Sequence, residues 1–446
     1  MKEEKNILPI HPRLANQLEK EGYKSLNYIQ LKSFKLAKRY KSLVIIAPTG
    51  SGKTEAAFFP ILNELLEKGG QPVYTLYITP LRALNRDIHI RMKDFIEKLG
   101  YRVEIRHGDT PEKIRRRIAK NPPHFLITTP ETLQFLLVGK KMREALKNVE
   151  WIVVDELHEL MDNKRGSQLT LALERLKKLA RRSPRIIALS ATISKPDLAL
   201  KFVSGRSFGT VLEWYEQKGY SIRIDDIDDN VSANDTPLPP EFYSRMKRLA
   251  EYASKGGVLI FTNTRDTAEL VGRVLRTYFG LNVRVHHGSL SKEERIEVER
   301  MFKRGEIKAV VATSSLELGI DIGHVNLVVQ YASPRQAIRL VQRVGRASHR
   351  LGEVSRGIII PIDLEDAIES AVLARRAERE NLEDLRIHEK PLDVLAHQIT
   401  GLTMEYRALD IGEVYDLVTR AYPYRELSLG EMGQLLKKMD DIRTVK

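Results

Sequence analysis

The chain contains no cysteine in 446 residues. That excludes disulfides, thiolate nucleophiles, iron–sulfur clusters and cysteine-ligated zinc, and it makes the cytoplasm the expected compartment. Long apolar runs are missing too. None approaches the ~18 residues of a membrane span, so no membrane association is expected. The opening residues, MKEEKNILPI, lack the apolar core of a secretory leader. Acidic residues are in deficit, 59 against 73 lysines and arginines, which leaves a formal net charge of +14. A polyanion is the natural partner of such a chain, nucleic acid ahead of a membrane surface, although surplus lysine also serves solubility.

What is present points to an α/β protein of two or three domains. Apolar, β-branched runs alternate with helical patterns. The first half predicts strands at Leu43–Ala47, Val73–Thr79, Val103–Arg106, Phe125–Thr128, Trp151–Asp155 and Ile186–Ser190, with helices such as Thr54–Lys68 and Leu84–Leu99 between them. Nearly continuous hydrophobicity marks strands buried on both faces of a parallel sheet. The texture changes near residue 215, where IDDIDDNVSANDTPLPP is acidic, polar and proline-ended, as a linker or inserted loop would be. Alternation then resumes, with strands at Val258–Thr262, Val283–His286, Ala309–Thr313, Leu327–Gln330 and Gly357–Pro361 and helices at Thr267–Tyr278, Lys292–Lys303 and Arg335–Val344. Past Ile362 only helical spacing remains, in Leu392, Leu395, Ile399 and Leu402, then Val414, Leu417, Val418 and Ala421, then Met432, Leu435, Leu436 and Met439. The expected domains are residues 1–215, a linker at 216–240, residues 241–375, and a helical, partly winged-helix-like domain at 376–446. The last of these has an alternative reading as a helical cap on the second sheet.

APTGSGKT, Ala47 to Thr54, lies between a predicted strand and a predicted helix. A P-loop has this form: backbone N–H groups and a helix N-terminus surround a phosphate. Lys53 would reach the outer phosphates and the Thr54 hydroxyl would hold Mg²⁺. Ala47 stands where the general pattern has its first glycine. The strand Trp151–Asp155 ends in DELH, and a carboxylate at such a tip faces the crevice where ligands bind. Asp155 would orient the metal, and Glu156 would polarise a water against the terminal phosphate. In the second half, QRVGRASHR (Gln342 to Arg350) offers Arg346 just after a glycine, suited to neutralising charge on a transferring phosphoryl group.

APTGSGKT, DELH, SAT (Ser190–Thr192), TSSLELGIDIG (Thr313–Gly323) and QRVGRASHR together resemble the motifs of a superfamily 2 helicase. HHGSLS (His286–Ser291), TSSLELGIDIG and PLDVLAHQI (Pro391–Ile399) resemble more narrowly the Lhr, or large-helicase-related, family. The resemblance runs from about Gly22 to Tyr424. It implies two tandem RecA-like P-loop domains with parallel sheets, followed by a small helical domain. It also implies ATP and Mg²⁺ as cofactors, with Thr49, Gly50, Gly52, Lys53 and Thr54 around the phosphates. Gln30 in LNYIQ would read the adenine edge, Asp321 would contact the sugar, and Gln342 would help place the attacking water. Arg346 matches the first arginine finger. Three residues on, where many relatives keep a second arginine, stands His349, so that role falls to His349 or Arg350. Ser348 replaces the commoner glycine.

The resemblance also implies that TPLRAL (with Arg82), TTPETL (with Thr129), FTNTR (with Thr264 and Arg265) and Thr313 hold the phosphates of a single strand. Hydroxyls, backbone N–H groups and arginines at strand tips suit sequence-independent binding of this kind. Ser190 and Thr192 would couple the two halves. His158, His286 and His287 lack metal-site spacing and are expected to be structural or coupling residues. ATP would sit between the two sheets, and each cycle of hydrolysis would shift the strand. The expected function is an ATP-dependent helicase or translocase on single-stranded or partly duplex nucleic acid, DNA ahead of RNA, with 3′ to 5′ polarity implied by the family. An RNA-remodelling ATPase that opens short duplexes and a nucleotide-gated binding scaffold are the alternatives. The family carries a complete winged helix and further domains after this point, so a truncated chain or a short variant is expected.

Overall fold

The apolar runs become the inner strands of two parallel sheets. The computed structural model describes residues 10–48, 50–191, 193–214, 219–225, 237–317, 322–347 and 354–441. The first sheet contains β1 (Ser42–Ile46), β2 (Thr75–Ile78), β3 (Val103–Ile105), β4 (Phe125–Thr128), β5 (Trp151–Val154), β6 (Arg185–Ser190) and β7 (Gly209–Glu213), in the order β3-β4-β2-β5-β6-β1-β7. The second contains β8 (Tyr220–Ile224), β9 (Val258–Phe261), β10 (Val283–His286), β11 (Ala309–Ala312), β12 (Leu327–Tyr331) and β13 (Ser355–Ile360), in the order β10-β11-β9-β12-β13-β8. Every residue of β1, β2, β4, β5, β9 and β11 is buried, because helices cover both faces. Among the described residues, no helix is long and apolar enough to cross a membrane.

Register decides what emerges at the sheet edges. In β1 and β6, Ile46 pairs with Ser190, and in β2 and β5, Ile78 pairs with Val154. The segments that follow Ile46, Ile78, Val154 and Ser190 therefore leave the first sheet side by side. Phe261 pairs with Ala312 and with Gln330, which brings the exits of β9, β11 and β12 together in the second sheet.

The chain divides into two units, Met1–Tyr215 with Asp384–Lys446, and Glu216–Glu383. Two features differ from the sequence expectation. Tyr220–Ile224, inside the stretch whose composition marks a linker, pairs with β13 as the edge strand of the second sheet. The helical tail also belongs to the first unit rather than standing alone or capping the second sheet. Its helices Leu392–Tyr406, Ile411–Arg420 and Leu429–Asp441 share a core of Leu395, Ile399, Leu402, Leu417, Tyr424 and Met432, closed by Leu171 of the helix Lys164–Leu179. A buried polar knot fixes the docking. Arg175 Nη1 donates to Gln134 Oε1 at 2.9 Å and to Gln398 Oε1 at 2.5 Å, and its Nε donates to Glu405 at 3.2 Å. Gly401 packs on that guanidinium, where a β-carbon would lie 2.9 Å from Nη2.

Candidate functional site

After β1 the backbone turns twice through the left-handed region, at Gly50 (φ +81°) and Gly52 (φ +80°), which only glycine enters without steric cost. Space makes the same demand at Gly52, since a β-carbon there would stand 2.6 Å from Gln30 Nε2. Gly52 caps the helix Lys53–Lys68 without any side-chain bond, so the turn presents a helix N-terminus. Lys53 is buried, and its Nζ donates to the carbonyls of Ala47 (2.6 Å) and Pro48 (2.8 Å). Thr49 lies outside the described residues.

Gln30 reaches this loop through a capping box. Asn27 caps the helix Tyr28–Arg39, accepts from Gln30 N at 3.1 Å and donates its own N–H to Gln30 Oε1 at 3.0 Å. Asn27 Nδ2 then donates to Ser51 O at 2.8 Å, locking helix and loop together. Sequence reasoning names Gln30 but misses Asn27; the N-x-x-Q spacing of a capping box was the available signal.

The carboxylates come next. Tyr77 on β2 donates its hydroxyl to Asp155 Oδ2 at 2.6 Å, so a buried phenol holds one of the two residues expected at the metal. Glu156 N donates to Asp155 Oδ1 at 2.9 Å. Burial, then the neighbouring charge of Glu156, pushes the Asp155 carboxyl up to about 6, against the opposing effects of Tyr77 and Lys53. Burial also holds the Tyr77 phenol well above its ordinary value, with Asp155 adding to the effect. A hydroxyl and a carboxylate suit Mg²⁺, which takes one or two protein oxygens and fills its other positions with water and phosphate.

Glu156 has a positive φ of +47° and a buried Oε2 that accepts no hydrogen bond among the described residues. His158 Nδ1 lies 3.6 Å from that oxygen and makes a 2.8 Å hydrogen bond with Ser190 Oγ. The tip of β5 is thereby tied to the tip of β6. Thr192 lies outside the described residues.

In the second unit, Arg346 sits in the single turn Gly345–Ala347 and donates through Nε (3.0 Å) and Nη2 (2.7 Å) to Glu317 O. The same glutamate pairs through its carboxylate with Arg343, a fully buried side chain that also donates to Gln330 Oε1 at 2.6 Å and Asn263 Oδ1 at 3.2 Å. Arg343, which sequence reasoning passes over, anchors the helix Ala337–Val344 to β9 and β12; Gln342 lies on that helix and is partly exposed. Asp321, Ser348, His349 and Arg350 lie outside the described residues.

The expected strand-binding residues occupy strand tips within each unit. Thr129 and Thr264 play matching parts: each caps a helix by accepting from the backbone N–H three residues on, Thr132 at 3.4 Å and Thr267 at 3.1 Å. Arg265 is the exposed first residue of the helix Arg265–Thr277. Thr313 follows β11 and donates its N–H to His286 O at 3.3 Å. His286 bonds Ser315 and Glu299, and His287 bonds Glu269, so these histidines brace loops. Arg82 opens the helix Arg82–Lys98, but its side chain lies outside the description. Arg165, another residue the sequence does not mark, links two of the loops by donating to Pro80 O (2.5 Å) and Glu131 Oε1 (2.6 Å).

The DEAD/DEAH box helicase model matches residues 27–199, and the helicase conserved C-terminal domain model matches residues 242–352. ATP-dependent helicase Lhr-Core protein 2 of Thermococcus barophilus is 41% identical over 425 residues, 89% of this chain and 49% of the relative. ATP-dependent helicase Lhr-Core of Methanocaldococcus jannaschii is 38% identical over 444 residues, 95% of this chain and 52% of the relative. The chain thus carries the two helicase domain models in tandem and resembles the Lhr helicases over most of its length. Its fold matches that of Mycobacterium smegmatis helicase Lhr bound to ssDNA and AMP-PNP with a TM-score of 0.85 and 33% identity, covering 96% of this chain and 57% of that one. The helicase MrfA bound to DNA and AMPPNP, at 23% identity and a TM-score of 0.75, shares the fold. The chain spans about half the length of the curated Lhr-Core relatives it matches.

Proposed function

We propose that this chain is the ATP-hydrolysing core of a nucleic-acid helicase or translocase. The observation that carries the reading is the crevice of the first unit, where Tyr77 donates to Asp155 beside the buried Lys53 and a buried Glu156 Oε2 that accepts no hydrogen bond among the described residues. Lys53 releases the two loop carbonyls and takes the outer phosphates of ATP. Thr54 and Asp155 would hold Mg²⁺, which would supply charge neutralisation to the phosphates. Glu156 offers Oε2 to a water and draws its proton as that water attacks. Gln342 places the water, Arg346 of the second unit neutralises charge on the transferring phosphoryl group, and Asp321 meets the sugar. Gln30 presents its amide to the base from the helix that Asn27 locks onto the loop.

Arg82, Thr129, Thr264, Arg265 and Thr313 grip the phosphates of one strand. The His158–Ser190 bond passes the state of the hydrolytic site to the segment beyond β6. DNA is the favoured strand, on the strength of the likeness to an Lhr bound to ssDNA, and 3′ to 5′ movement is what the family resemblance implies. Comparing stimulation of turnover by DNA and RNA strands decides between the two.

Glu156→Gln tests the hydrolytic reading. The variant is expected to bind ATP and strand as the parent does, and to lose at least about 100-fold in turnover, because the water keeps its place but loses its base. Turnover near the parent's rate would remove Glu156 from this role.

A further inference from the structure

The helix that carries Gln342 and precedes Arg346 has no local cap. Gln336 occupies its N-cap position without a side-chain bond, and the loop before it holds two non-glycine residues at positive φ, Ala332 (+62°) and Arg335 (+66°). Strained loops of this kind persist only where their surroundings hold them. Here the holding groups are carboxylates from later in the chain. Asp366 accepts from Ser333 N at 3.0 and 2.9 Å, and Arg335 pairs with Glu369. Glu383, 46 residues beyond the start of the helix it serves, accepts from Ala337 N at 2.7 Å and from Ile338 N at 3.0 Å. A bidentate carboxylate on the first N–H groups of a helix satisfies otherwise orphaned donors and complements the positive end of the helix.

The place of Glu383 in the chain gives this cap a second meaning. Glu383 is the last residue of the second unit, and Asp384 begins the segment that belongs to the first. Asp384 lies 3.2 Å from Lys195, five residues beyond Ser190, and Leu385 and Ile387 pack on the core of the first unit. Ser167 donates to His388 O at 3.1 Å. The anchor on the arginine-bearing helix and an anchor in the first unit are thus consecutive residues of the chain.

We propose that Glu383 is a positioning residue: it sets the orientation of the Ala337–Val344 helix, and hence of Arg346, and it transmits to that helix any movement of the segment fastened beyond Ser190. This rests on the role assigned to Arg346 above.

The test measures steady-state ATP turnover at saturating nucleic-acid strand for residues 1–446, comparing Glu383→Ala, Glu383→Gln, Arg346→Ala and the double variant Glu383→Ala/Arg346→Ala. Glu383→Ala is expected to lower kcat about tenfold and to leave KM for ATP within about twofold, because a misplaced finger costs transition-state stabilisation more than ground-state binding. Glu383→Gln, which keeps an acceptor oxygen but no charge, should fall between Ala and the parent. The double variant should be no slower than Arg346→Ala alone, since Glu383 acts through that arginine. Parent-like turnover of Glu383→Ala beside a slow Arg346→Ala overturns this proposal and leaves the hydrolytic reading intact. Additive losses in the double variant overturn it as well. Parent-like turnover of Arg346→Ala removes the reading on which it rests. If Glu383→Ala does not fold, Glu383→Gln and its double with Arg346→Ala carry the same test.

Discussion

At the scale of single residues, the first unit maintains two conditions that folding alone disfavours. Glu156 has a β-carbon in the left-handed region and a buried oxygen with no hydrogen bond among the described residues, the kind of strain that clusters at working sites. Asp155 is buried beside another carboxylate, and its carboxyl stands at about 6 rather than its ordinary 3.8. The folded chain holds that proton more tightly than the unfolded chain does, so Asp155 contributes full stability below about pH 4 and loses it as pH rises through about 6. At neutral pH the penalty is on the order of 3 kcal/mol. Asp155→Asn should flatten this part of the profile. Melting temperatures of nucleotide-free, Mg²⁺-free protein across this range should fall for the parent relative to the variant, and parallel profiles would mean that Asp155 is no less solvated when folded. Motif spacing is enough to name Lys53, Thr54, Asp155 and Glu156. It cannot name Tyr77, whose hydroxyl reaches Asp155 only because Ile78 pairs with Val154, nor Glu383, whose partners lie 45 and 46 residues away.

At the scale of elements, legibility follows burial. Phe125–Thr128, Val283–His286 and the helix Lys292–Lys303 occur where the periodicity predicts, residue for residue, because an apolar run, a β-branched alternation and a helical stripe leave few other choices. The edge strands β7 and β8 are missed because each has one open flank and a half-exposed, mixed sequence beside polar loops. The tail shows a different limit. Periodicity predicts its three helices and buries Leu395, Ile399 and Leu402, while Leu392 stays 44% exposed. What spacing does not reveal is which unit the helices pack on, since that is decided by Arg175 meeting Gln398 and Glu405, 223 and 230 residues away. Removing one partner of a buried ion pair strands the other, so Arg175→Ala should destabilise the first unit by about 3–5 kcal/mol in urea denaturation. Lys164→Ala, which breaks a pair with Asp393 whose side chains are 55% and 63% exposed, should cost no more than about 1 kcal/mol. Equal effects of the two changes would mean that the knot does not hold the tail.

At the scale of the whole molecule, the net charge of +14 poses a question that no single contact answers, because surplus cations arise either from strand binding or from solubility. The two origins respond differently to salt. Each phosphate contact made on a single strand releases bound counterions and adds about 0.7 to the slope of log affinity against log salt. A cation that never meets the strand adds almost nothing. Arg265, exposed at the tip of β9, is placed to make such a contact, whereas Arg182 lies just before β6, at the opposite end of its strands, with its side chain 80% exposed. Arg265→Ala should therefore weaken strand binding more at low salt than at high salt and reduce the slope by about 0.7. Arg182→Ala should shift affinity little and leave the slope unchanged. Fluorescence anisotropy of a labelled single strand, titrated at several salt concentrations, measures both. Equal slopes for the parent and Arg265→Ala would place the strand away from the tip of β9 and take Arg265 out of the binding surface. A loss of slope on changing Arg182 would mean that binding follows overall charge, with the strand tips holding no special claim on the phosphates.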